Sequence, residues 1–180
     1  MSERPIRIGE RSGAPIVRQS LLDRLIDDEP DKIAETALSP AENIAVLRRN
    51  VRRDLEALLN TRRRWRSWPE DYSELSVSPV GYGISDFSAG AFNDPQRREW
   101  LRAEVEQAIR RFEPRLTRLR VTLIKAKDEL DARVQLRIEG LLRTEPAPEP
   151  IAFDTLVDAA TAEVQVKASA SEVAHVVDHA

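Results

Sequence analysis

Ala108-Ile109-Arg110-Arg111-Phe112-Glu113-Pro114-Arg115-Leu116, followed closely by Leu119-Arg120-Val121-Thr122-Leu123, is where the apolar period of this chain changes from helical to extended. Upstream, Asp94-Pro95 supplies an N-cap and a first-turn proline, and Leu101, Val105, Ala108, Ile109 and Phe112 share one helical face. Pro114 must end that helix, because it lacks an amide donor and its ring excludes the helical conformation from the residue before it. Downstream, Leu119, Val121 and Leu123 alternate with polar residues, the signature of a half-buried strand. Glu113 is the oddity at the join, since an acidic side chain is disfavoured at the partly negative carboxyl end of a helix.

Two further strands read the same way: Val134 to Leu142, with Val134, Leu136 and Ile138 alternating, and Ile151 to Val157. Val164 and Val166 form a fourth short strand or extend the third. Upstream, Ser39-Pro40-Ala41-Glu42 is a capping box opening a long helix whose buried stripe is Ile44, Leu47, Val51, Leu55, Leu58 and Leu59. The expected architecture is therefore α+β: a small antiparallel sheet of three to four strands, packed on one face by two long helices. Such a sheet has open edges, and an edge with unpaired amides can receive a strand from another chain.

Outside this unit, residues 1–19 read as a flexible arm, 20–167 as a single domain, and 168–180 as a frayed tail. Leu21, Leu22, Leu25 and Ile26 form one face of a short helix, with Asp23, Arg24 and Asp27 pointing away, Ser20 as N-cap and Glu29-Pro30 as the stop. So short a helix must dock, on its own domain or on a partner. Trp65 to Asn93 is rich in turn formers and is expected to be a functional surface. Its Gly81-x-Gly83 pair lacks the flanking strand, third glycine and helix of a dinucleotide fingerprint.

Composition narrows the function classes. The chain has 180 residues, 41% of them hydrophobic, and no apolar run approaching the roughly 18 residues of a membrane span. Its amino terminus does not resemble a secretory signal, which fits a cytoplasmic protein. It has no cysteine, hence no disulfide, thiolate ligand or thiol nucleophile. The net charge of −3 hides a basic cluster from Arg48 to Arg66 and an acidic carboxyl-terminal stretch with Lys167 as its only base. The cluster, including Arg52 and Arg53, makes a nucleic-acid-binding module one functional alternative. His175 and His179 have metal-compatible i, i+4 spacing without the glutamate of a metalloprotease, so neither a metal nor a cofactor is expected.

Four segments carry a family resemblance: Val51 to Arg62, Tyr82-Gly83-Ile84-Ser85-Asp86-Phe87, Ala108 to Leu116, and Arg137-Ile138-Glu139-Gly140-Leu141-Leu142. In this order they resemble the TssE family of type VI secretion baseplate subunits, relatives of a contractile-phage baseplate wedge protein. The resemblance implies a non-enzymatic subunit that joins a wedge of TssF, TssG and TssK to the first ring of a sheath built from TssB and TssC. It implies a cytoplasmic baseplate docked at the inner membrane complex, with no small-molecule substrate and no nucleic acid. It assigns partner contact to Glu113, Pro114 and Arg115, and strand addition to the sheet; Leu21, Leu22, Leu25, Arg52 and Arg53 are a further candidate partner surface. The family also carries a "lysozyme-like" label, making muramidase activity a remote alternative. A glycosidase needs a protonated acid facing a second carboxylate, and an arginine two residues from Glu113 opposes that protonated state.

Overall fold

The structure, a computed structural model, describes residues 19–26, 38–63, 69–87, 94–124, 133–145, 147–158, 161 and 163–169. The arm up to Arg18, the Glu29-Pro30 stop, Trp65, Trp68, Ser88 to Gly90, Lys125, the tail from Ala170 and both histidines lie outside these residues.

The long helices form where their caps dictate. In α2 (Pro40–Asn60) the Ser39 hydroxyl accepts from the Glu42 amide at 3.3 Å and the Glu42 carboxylate accepts from the Ser39 amide at 2.7 Å, closing the capping box. In α3 (Pro95–Phe112) the Asp94 carboxylate caps the Gln96 amide at 2.9 Å. A five-residue helix, α1 (Leu21–Leu25), precedes them, with the Ser20 hydroxyl accepting from the Asp23 amide at 3.1 Å. Between α2 and α3, two short 3₁₀ helices, Glu70–Val77 and Pro79–Gly81, occupy a region whose residues read only as turns.

β1 (Leu116–Ile124), β2 (Arg133–Leu142), β3 (Glu149–Asp158) and β4 (Glu163–Ala168) make one antiparallel meander in the order β1-β2-β3-β4. Val164 and Val166 thus belong to a separate fourth strand, and the ladder reaches Ser169, whose amide donates to the Ala152 carbonyl at 3.1 Å. One sheet face holds Val121, Leu136, Ile138, Phe153, Val157, Val164 and Val166, all at most 2% exposed. Against it, α3 lies over β1 and α2 over β4. The helices contribute Leu47, Val51, Leu55, Leu58 and Leu59, and Leu101, Val105 and Ile109, to one continuous core. The other face is polar, with Arg137 of β2 donating across to Asp154 of β3 at 2.9 Å.

β1 begins three residues earlier than its alternation indicates, because a bulge between Thr117 and Arg120 breaks the period of two. Arg118 takes a positive φ of 49° there. Gly140 of β2 makes room for the bulge: a Cβ at this position would stand 3.2 Å from the Thr117 carbonyl oxygen.

Candidate functional site

The helix-to-strand join that decides the fold is also where, among the described residues, charged side chains from three helices converge. Glu113 caps α3, its amide bonding back to the Ile109 carbonyl at 2.8 Å, and it is only 4% exposed. Pro114 stands exposed at the turn, and Arg115 doubles back onto Glu113. Its amide and its Nε donate to Glu113 Oε1 at 3.2 and 2.6 Å, while Nη2 donates to Oε2. Both carboxylate oxygens are thus held by one side chain in the bidentate geometry that suits guanidinium to carboxylate.

Arg115 also reaches two other elements. Nη2 donates to Asp54 Oδ2 of α2 at 2.5 Å, and Nη1 lies 3.5 Å from Asp23 Oδ2 of α1. Arg53 completes the node, donating to Asp23 Oδ1 at 2.6 Å and to Asp54 Oδ1 at 2.8 and 3.0 Å. Three carboxylates therefore alternate with two guanidiniums, tying α1, α2, the end of α3 and the start of β1 together. Burial of Arg115 opposes its charge, but hydrogen bonds and charge from Glu113 and then Asp54 outweigh burial and raise its pKa. At Asp23 burial also favours the neutral acid, yet hydrogen bonds from Ser20 and Arg53 and the charges of Arg53 and Arg115 lower the pKa below the ordinary carboxylate value. The macrodipole conflict at Glu113 is resolved within the chain, by Arg115.

The node sets which way α1 faces. Leu21, Leu22 and Leu25 are 77%, 62% and 81% exposed, whereas the Asp23 side chain is fully buried. Periodicity puts the leucines on one face without choosing between the domain and a partner; the choice is made by a carboxylate that finds two arginines 30 and 92 residues away. A groove of about 730 Å³ opens beside α1, lined by Leu22, Ile26, Leu55, Leu58, Tyr82 and Phe112, with Glu113, Pro114 and Arg115 at its rim. The Tyr82 and Phe112 rings meet edge to face there, centroids 5.2 Å apart.

A second cluster locks the Tyr82 to Phe87 segment onto both helices. Glu104 Oε1 accepts from the Ser85 amide at 3.2 Å, the Ser85 hydroxyl at 2.9 Å and Arg63 at 3.0 Å. Thr61 and Arg63 exchange backbone bonds of 3.0 and 2.9 Å with Ile84, and Gly83 adopts φ 101° to allow this approach. The spacing of Glu104 on a helix face and Ser85 in a loop gives no hint that they meet.

Five arginines of the basic cluster make contacts within the fold. Arg48 and Arg52 donate to the carbonyls of Pro150 and Val166 at 3.4 Å each, Arg53 and Arg63 hold carboxylates, and Arg62 lies 4.2 Å above the Phe87 ring. Among the described residues, no helix is long and apolar enough to cross a membrane and no acidic or histidine cluster could hold a metal ion.

Compared with known proteins, no curated protein matches the chain. The family model described as baseplate wedge protein gp25 matches residues 45–147, a span running from the first turns of α2 through Arg53, Asp54, the Glu113-Pro114-Arg115 turn and the β1–β2 pair, with Asp23 outside it. That span exceeds half of the 180 residues, and on it the chain belongs to the baseplate wedge protein gp25 family.

Proposed function

We propose that this chain is a TssE-type, non-enzymatic baseplate subunit that links a wedge of TssF, TssG and TssK to the first sheath ring of TssB and TssC. The observation that carries the reading is the family match itself, because it spans the segment that builds the Glu113-Pro114-Arg115 node. A structural, baseplate-building role is the coarser property of that family.

Within this reading, Glu113 and Arg115 act as a pair rather than as two separate contacts. Their polar groups are turned on each other and on Asp54 and Asp23, while Pro114 is exposed at the tip between them. The node would hold that tip, the groove rim and α1 in one geometry for the wedge to grip. A muramidase acid must reach its sugar, whereas Glu113 is buried with both oxygens on Arg115. The nucleic-acid alternative is weakened because Arg48, Arg52 and Arg53 of α2 are engaged within the chain.

Affinity purification of the tagged chain from cells that build the apparatus tests the proposal. Wedge subunits should accompany the wild type and be lost with Pro114→Gly, a variant expected to stay folded because the ion pairs remain. Undiminished recovery with that variant, or no wedge subunits with the wild type, would count against it.

A further inference from the structure

The two edges of the sheet are guarded by different means, and the difference bears on where another chain could pair. At the outer edge of β4, the Asn60 side-chain amide donates to the Val164 carbonyl at 2.8 Å while its Oδ1 accepts from the Val164 amide at 2.9 Å. One planar amide thus makes both bonds that a residue of a neighbouring strand would make. Asn60 is the last residue of α2, and its Nδ2 also donates to the Glu56 carbonyl at 2.8 Å, so its short side chain cannot leave without the helix end. Arg52 covers the next outward carbonyl, that of Val166.

At the edge of β1 the outward carbonyls of Leu119 and Val121 are held by Arg110 at 2.8 Å and Arg102 at 3.2 Å. Both arginines have a second partner that does not involve the sheet: each also donates to Glu106 at 2.6 Å. The Arg110 side chain is 57% exposed. These long side chains can release the carbonyls and keep their charge paired. Because N–H and C=O of one residue in an antiparallel ladder point the same way, the Val121 and Leu123 amides face outward as well. The edge is basic: Arg102, Arg110 and the exposed Arg118 and Arg120 stand against Glu99 and Glu106. The rim of β4 instead alternates Glu163, Gln165 and Lys167.

We propose that β4 is the closed edge of the sheet and β1 the acceptor edge, and that the occupant of β1 is an extended, acid-bearing segment of another chain pairing along Leu119–Ile124. This rests on the strand-addition reading of the function and adds the edge, the guards and the charge of the partner. The incoming backbone amides replace the Arg102 and Arg110 donors, and its carboxylates take up the freed guanidiniums.

Hydrogen exchange at single-amide resolution, on the free chain and on the chain within its purified baseplate and sheath assembly, distinguishes the outcomes. Exchange at Val121 and Leu123 should slow about tenfold or more on assembly, with Val166 and Ala168 unchanged. Protection at Val166 and Ala168 instead would overturn the edge assignment while leaving strand addition intact. Protection at neither edge would remove strand addition itself. With Arg110→Glu the gain at Val121 and Leu123 should fall at least several-fold; an undiminished gain would refute the acidic occupant.

Discussion

Replacing Arg115 by alanine removes a side chain that contacts Glu113, Asp54 and Asp23 together. Glu113, at 4% exposure, is then left with neither oxygen paired by a cation, in the negative field of Asp54 and at the negative end of α3. Breaking a buried ion pair by deleting one partner costs about 3–5 kcal/mol. Arg115 and Asp54 retain 19% and 32% side-chain exposure and Arg53 still holds Asp23 and Asp54, so screening places the loss near the lower end, about 3 kcal/mol. For a chain of this size, that lowers Tm by about 6–12 °C. Differential scanning fluorimetry and urea unfolding measure it directly. Adding Glu113→Gln to Arg115→Ala should recover part of the loss, since the stranded charge is gone, and a double-mutant cycle should return a coupling of about 1–3 kcal/mol. A Tm within about 2 °C of wild type for Arg115→Ala would mean that solvent screens the node and that Glu113 does not depend on Arg115.

Other perturbations probe separate parts of the structure. Asp23→Asn should free α1, seen as faster proteolysis after Leu21 to Leu25 with the core intact. The folded Asp23 has a lowered pKa, so its contribution is present above the unfolded value of about 3.9 and is lost as pH falls through the folded one; between about pH 5 and 2, wild type should lose more stability than Asp23→Asn. Equal losses would detach Asp23 from the node. Gly83→Ala should destabilise by roughly 2 kcal/mol or more, because φ is 101° and the new Cβ would meet the Thr61 carbonyl oxygen at 2.4 Å; thermal melts check it. Asn60→Ala should cost about 1–3 kcal/mol by leaving the Val164 amide and carbonyl without their side-chain partner, and should speed exchange at Val164 in the free chain. Unchanged exchange there would contradict the guard assigned to β4.

What the sequence discloses follows how local each determinant is. Ser39-Pro40-Ala41-Glu42 and Asp94-Pro95 place both long helices because caps act within one turn. The sheet is legible because the alternation of Val134, Leu136 and Ile138, and of Ile151 and Phe153, needs only a period of two. Where a bulge interrupts that period, at Thr117 to Arg120, the start of β1 becomes invisible to it. The orientation of α1 is hidden for a stronger reason: it is set by Asp23 meeting Arg53 and Arg115, contacts that no local pattern encodes. The same holds for Glu104 with Ser85 and Arg63, and for Asn60 with Val164. The Glu113 anomaly was readable as an anomaly from the helix dipole alone; its resolution by Arg115 needed the turn at Pro114.

The proposal that this chain builds a baseplate from which a sheath grows stands or falls on the number of fluorescent sheaths in living cells from which the chain has been deleted. No sheath should assemble without the chain, wild type should restore assembly fully, and a folded Arg115→Ala variant expressed at equal level should restore none. Sheaths forming at the normal frequency in its absence would contradict it.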